Sequence, residues 1–290
     1  MKRMKKLASL FFVLNLVTAA TAQESNDQNE NVWPWDFPQS VPLQAEMGQL
    51  ALSCYGHYFD CVKEGKGMKD KVMIFYKTNV EKVGQDKTIL ADYGEETEVP
   101  NALIIPLDKN AKAKKGDIVL TWWQSGSGMQ RAIVVDDSTP TEPVVCYLDL
   151  SWPDNPESPE LEKKRKGEQL KPGTFSVLKG GKWQSGEQVA YRANGEWNAG
   201  KLIHTAGDKV LVSVFASYVE ATTKDRVKLI PFKEKIKVGD KVSVVWLRYY
   251  RPGYVVTKVD DEAGHIYVKK EGSDRVECKS IAEVTKVLNN

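Results

Sequence analysis

Catalysis needs a nucleophile, a proton carrier or a metal held by side chains at workable spacing, and this sequence offers little of each. Its three histidines, His57, His204 and His265, are scattered, and no Gly-x-Ser-x-Gly elbow, His-Glu-x-x-His pair or phosphate-binding Gly-rich loop is present. No cofactor is implied. The four cysteines, Cys54, Cys61, Cys146 and Cys278, lack the Cys-x-x-Cys spacing and nearby His of a zinc site. The sharpest enzyme alternative is a Cys/His hydrolase, with Cys54 or Cys146 as nucleophile and one of the histidines as base, which requires a free thiol beside an imidazole in a cleft. The paired acids Asp136-Asp137 and Asp260-Asp261 fall at hairpin turns, where turn chemistry explains them better than calcium binding.

Aromatic chemistry is better supplied. Trp246, Tyr249, Tyr250 and Tyr254 surround Arg251-Pro252-Gly253, a composition suited to recognition and equally to packing. Trp122 and Trp123 are adjacent, so on a strand they point to opposite faces, and one of them belongs at a contact between units or in a groove for a peptide or glycan.

The elements that must position these residues are strands. Short β-branched or alternating runs such as Val210–Phe215, Val242–Val245 and Tyr254–Val256 are separated every ten or so residues by Gly, Asn, Asp or Pro. The spacing predicts an all-β protein. Self-similarity sharpens this. Gln49–Leu52 through Gly56-His57-Tyr58 aligns without a gap with Gln188–Tyr191 through Gly195-Glu196-Trp197, at an offset of 139 residues. Leu103–Leu107 matches Lys228–Phe232, and each leads through a Lys-rich step into Gly116-Asp117 or Gly239-Asp240. Two tandem pairs, hence four units of about 60 residues, follow. Such small units are best closed as strongly bent barrels: 46–108, 109–180, 181–233 and 234–290. The repeat alignment places Cys54 and Cys61 on the two arms of a hairpin, where a cross-strand disulfide is expected. On a helix they would lie about 10 Å apart along the axis, beyond bridging. Cys146 and Cys278 sit in apolar strand contexts and are expected to be free.

Ahead of the units, Lys2, Arg3, Lys5 and Lys6, the apolar run Leu7–Val17 and the small residues Ala20-Thr21-Ala22 have the form of a signal peptide over 1–22. The apolar run is short of the roughly 20 residues that span a bilayer, and no transmembrane segment is expected in the mature chain. Export to the periplasm or the medium follows, with the mature chain starting at Gln23. Residues 23–45, containing Trp33-Pro34-Trp35-Asp36-Phe37, form a flexible arm whose aromatics are costly to leave in water. The whole chain carries 41 Lys and Arg against 39 Asp and Glu, and the leader holds four of the cations. The mature protein is thus nearly neutral, and nucleic acid is a poor partner. The run Lys163–Lys166 is flanked by Glu157, Glu160, Glu162 and Glu168 and reads as a solvated loop.

Gly186–Tyr191, Asn194–Leu202, Val210–Tyr218 and Val227–Pro231 resemble the Tudor/Agenet pattern of the Src homology 3-like barrels, and Ile89–Val99 resembles the Asp-Tyr-Gly stretch of that family. The resemblance implies a cage of ring faces that attracts a cation such as a methylated ammonium. Matched by position, it implies ligand-binding roles for Trp197, Phe215 and Tyr218 in the third unit and Tyr58 and Tyr93 in the first. Trp246 and Tyr250 are the candidates in the fourth. Ser217 stands where the family has an acid. The function expected from all this is an exported, non-enzymatic binding or scaffold protein for a peptide or peptidoglycan, with a purely structural envelope protein as the rival.

Overall fold

The computed structural model describes residues 32–92, 95–123, 128–150, 154, 158–160, 166–232 and 234–288. The leader and the first part of the arm lie outside them. The chain is mostly antiparallel β-sheet, in agreement with the all-β expectation. Among the described residues, twenty strands form four sets with one strand order. The first comprises β1 (Leu50–Ser53), β2 (Tyr76–Lys82), β3 (Lys87–Asp92), β4 (Glu95–Pro100) and β5 (Ile104–Pro106). The second comprises β6 (Ile118–Trp122), β7 (Met129–Asp136), β8 (Val144–Tyr147), β9 (Glu168–Gln169) and β10 (Ser176–Leu178). The third comprises β11 (Gln188–Ala193), β12 (Glu196–Ala206), β13 (Lys209–Val214), β14 (Val219–Thr223) and β15 (Val227–Leu229). The fourth comprises β16 (Lys241–Trp246), β17 (Tyr249–Asp260), β18 (His265–Lys270), β19 (Val276–Ser280) and β20 (Val284–Thr285). In every set the first four strands meander and the fifth returns to pair with the first.

The recurrence extends to single hydrogen bonds. Gly48, Gly116, Gly186 and Gly239 each precede a first strand with φ between 76° and 91°, a left-handed conformation that glycine adopts without a Cβ penalty. Their N–H groups donate to Val80, Val134, Leu202 and Val256 of the second strands. The second strand of every set then carries a bulge, after Val80, Val134, Leu202 and Val256 respectively. A bulge adds one residue to one strand and bends it, so each long second strand curls over its own core. The turn acids behave as turn acids: Asp136 accepts from the Ser138 N–H at 2.8 Å and Asp260 from that of Ala263 at 3.2 Å.

Alternation fills the interior of the third set with Val189, Tyr191, Leu202, Val210, Val212 and Val227. Larger than any one set's own core is a cluster drawn from all four. Leu52 and Leu90, Ile118 and Ile133, Ile203 and Phe232, and Ala282 meet there, with Phe37 and Val41 of the arm. The arm is therefore docked over its described part. Trp35 Nε1 donates to the Val219 carbonyl at 2.7 Å, Trp33 meets Trp35 edge-on at 4.9 Å, and Asp36 pairs with Lys209. Trp122 is half-buried against this shared cluster, and Trp123 packs on the core of its own set, so the adjacent pair serves one contact on each face.

One expectation is overturned. Cys54 to Cys61 is no hairpin: α1 (Tyr55–Glu64) follows β1 directly, and both thiols are free. The helix forms because Tyr58 and Cys61, three apart, turn one apolar stripe to the core, and because Gly65 at φ 61° stops it with its N–H on the Cys61 and Val62 carbonyls. The ungapped match to Gly195-Glu196-Trp197 ends in substance at Ser53. The third set joins its first two strands by a two-residue turn at Asn194-Gly195, where the first set inserts a helix and a loop.

Candidate functional site

β12 and β17 meet where Asn198 pairs with Tyr249, which joins the third and fourth sets into one ten-stranded sheet. Pairing then sorts the candidate aromatics by face. Trp246 lies opposite Tyr249 and Val245 opposite Tyr250, so Trp246 and Tyr249 share one face and Val245 and Tyr250 the other.

On the inner face, Tyr250 is only 4% exposed and packs with Ala190 and Ile230, and Trp197 lies half-buried against them. The Tyr250 Oη accepts a hydrogen bond from Gln188 Nε2 at 2.8 Å, and Gln188 Oε1 accepts from Arg131 Nη1 at 2.5 Å. Arg131 is 3% exposed, grips the Asp149 carboxylate through Nε at 3.1 and 3.2 Å, and donates its backbone N–H to it at 2.8 Å. Lys201 Nζ reaches the same carboxylate at 3.2 Å. Burial would push Asp149 up. The charges of Arg131 and Lys201 and the hydrogen bonds from Arg131 outweigh that and hold it well below the usual carboxylate range. Burial pushes the Tyr250 hydroxyl up. This network ties the second, third and fourth sets together, and Tyr250 is one of its struts. That removes Tyr250 from the ligand-binding candidates, because a ring closed between sheets presents no face to a ligand.

The outer face and its rim are open. Trp246 is 50% and Leu247 58% exposed, at the turn between β16 and β17. Tyr249 beside them is half-buried, with the Arg251 guanidinium 4.8 Å and the Arg248 guanidinium 5.4 Å from its ring centroid. Arg251 pairs with Glu196 and Arg248 with Glu220, both at 3.6 Å.

The cage expected in the third set is not assembled. Arg192 Cζ and Lys228 Nζ each lie 5.2 Å from the Trp197 ring, so the chain's own cations occupy the place of a ligand cation. Phe215 and Tyr218 are exposed on the turn between β13 and β14, and no ring-to-ring contact among the described residues joins them to Trp197. The Ser217 carbonyl of that turn accepts the Met73 N–H at 2.8 Å, which docks a loop of the first set there. Tyr58 is buried on α1 in the shared core, which removes it from a ligand surface as well. Tyr93 falls outside the described residues. The cations Arg192, Lys228 and Arg248 had no part in the sequence-based site, and Arg251 entered it only within the Arg251-Pro252-Gly253 turn. Arg192 was legible as the cross-strand partner of Trp197 once Asn194-Gly195 is read as the turn between them.

Burial pushes the Cys54 thiol far up and that of Cys278 to about 11, the reverse of what a nucleophile needs. Burial also pushes the His204 imidazole down, and its Nε2 lies 2.6 Å from the Ile104 carbonyl across the first and third sets. Among the described residues no helix is long and apolar enough to cross a membrane. No protein-family model matches the chain, and no curated protein matches it.

Proposed function

We propose that this chain is an exported, non-enzymatic binding protein built as four Tudor-like, Src homology 3-like barrels in two tandem pairs, which recognises a peptide or cell-envelope component at the seam of the third and fourth. The barrel reading is supported by the shared strand order, entry turn and second-strand bulge. Export is supported by the leader. The observation that carries the binding reading is the rim of the seam, where Trp246 and Leu247 stand exposed next to a Tyr249 ring braced by two arginines. Large side chains left in water cost stability, and interfaces recover it, with Trp, Tyr and Arg as the usual anchors. The raised Cys54 thiol pKa argues against that residue as the nucleophile of the hydrolase alternative.

Cosedimentation of the mature chain with washed envelope tests this. Retention is expected, weakened about tenfold or more in Trp246→Ala with an unchanged unfolding midpoint. Equal retention of both proteins would remove the rim from the site.

A further inference from the structure

Across the seam, one row of the sheet runs Tyr191, Asn198, Tyr249 and Trp246, each opposite the next on the neighbouring strand, so the four side chains share a face. Glu220 of β14 lies opposite Val212, which shares the third set's core with Tyr191, and so turns to the same side. Tyr191 and Asn198 are each 1% exposed. The Asn198 amide is oriented by its own donors: Nδ2 reaches the Glu196 carbonyl at 3.1 Å and that of Ala193 at 3.4 Å, which leaves Oδ1 to accept from elsewhere.

Into this corner the fourth set inserts Arg248. Its Nε donates to Asn198 Oδ1 at 3.0 Å, its Nη2 lies 3.6 Å from Glu220 Oε1, and its Cζ lies 5.4 Å from the Tyr249 ring centroid. The Tyr191 hydroxyl feels both charges: burial and Glu220 push it up, and Arg248 pulls it down. An amide oxygen, a carboxylate and a ring face around one guanidinium suit the planar fork of arginine better than the point charge of an ammonium. Neither Asn198 nor Glu220 has a ligand role in the family resemblance.

Arg248 is delivered on the turn between β16 and β17. There Leu247 holds φ 57°, a left-handed conformation costly for a residue with a Cβ, and stands 58% exposed. The Arg248 and Glu220 side chains are 36% and 37% exposed, so a competing cation can reach the pair from solvent. The Arg248 carbonyl accepts the Ala199 N–H at 2.8 Å, which holds the turn in place while the side chain swings out.

We propose that the third set carries an arginine-binding site which Arg248 of the fourth fills from within, and that an arginine of a partner protein enters it by displacing Arg248. The proposal rests on the seam being the binding surface and names its anchor, because an arginine seated there lies beside Trp246 and Leu247, which the rest of the partner would cover. A tethered ligand competes at an effective concentration of about millimolar, so the apparent affinity falls with the fraction of molecules in which the site stands open.

Fluorescence anisotropy of the mature full-length chain with three labelled peptides, alike but for one Arg, Lys or Gln, tests the site. The parent is expected to bind the Arg peptide weakly, and Arg248→Ala and Arg248→Gln to bind it more tightly by about tenfold or more, with no such gain for the Lys and Gln peptides. Adding Glu220→Gln to Arg248→Ala should abolish the gain. Thermal unfolding gives a second readout: methylguanidinium should raise the midpoint of both Arg248 variants and leave that of the parent unmoved, while ethylammonium at equal concentration raises none. Should Arg248→Ala fail to fold, Arg248→Gln, which keeps most of the stem, carries both measurements. Equal affinity of the parent and the variants for the Arg peptide would show that nothing closes the site, equal gains for the Arg and Lys peptides would remove the guanidinium as its ligand, and a gain that survives Glu220→Gln would place binding elsewhere; each overturns the proposal. If no Arg248 variant gains affinity while Trp246→Ala still weakens envelope retention, the arginine site falls and the seam stands; if that retention is also absent, both readings fall.

Discussion

A carboxylate shut away from water survives as an anion only while its cations stay with it, and Asp149 shows how much of the seam depends on one such group. Asp149→Asn keeps the shape but leaves Arg131, 3% exposed, as a buried cation without its counter-ion. The expected cost is about 3–5 kcal/mol, read from urea unfolding at pH 7. The pH dependence has a definite sign. Because the folded pKa lies below the ordinary 3.8, the stabilisation is complete above that value and is lost as pH falls through and below it. The parent should therefore lose stability below about pH 4 by an increment that the Asn variant lacks. A variant as stable as the parent at pH 7 would show that the network is ornamental to folding. At this scale the sequence singled out Trp197, Trp246 and Tyr250, which meet at the seam, without telling which are struts. Tyr249 and Tyr250 are neighbours of one type, and only the sheet to which β17 belongs decides that the second goes inside.

At the scale of elements, α1 marks the place where alternation misled. Leu50–Ser53 has strand character and is β1, but past Cys54 a stripe at helical spacing takes over, too short to stand out from the β pattern. Seven helical steps separate Cys54 and Cys61 by about 10 Å along the axis, beyond the roughly 7 Å a disulfide tolerates between Cα atoms. Mass mapping of the unreduced protein, unfolded in the presence of an alkylating agent, is expected to find Cys54 and Cys61 both alkylated. A linked pair of peptides would contradict the helix. The four entry glycines were more legible. Gly116-Asp117 and Gly239-Asp240 stand out as a repeat, and Gly48 and Gly186 occupy the same place in the other two sets with different followers.

For the whole molecule, the shared core has the larger consequence. Independent tandem pairs would melt separately, but here the largest apolar cluster takes residues from every set and from the arm. Further links are the His204 contact to Ile104, the Trp35 contact to Val219 and the Arg131 network. Opening any one set strips cover from the others, so calorimetry should record one cooperative transition with equal calorimetric and van't Hoff enthalpies. Two resolved transitions would mean that the shared cluster contributes less than the cores within the sets.

Period-two alternation, Gly at the entry turns and Asn-Gly between paired runs are local properties, because each acts on φ, ψ or facing within a few residues; the sequence alone was therefore enough for the β class and for the recurrence. Burial is a property of what arrives from elsewhere in the chain. Tyr250 became interior because Gln188 and Arg131, more than sixty residues before it in each case, end beside its hydroxyl and its sheet. Trp197 is covered by cations because β15 brings Lys228 back against β11. The tertiary structure thus decided which aromatics support the body and which stand exposed, since that choice turns on non-local contacts whose partners no local pattern specifies.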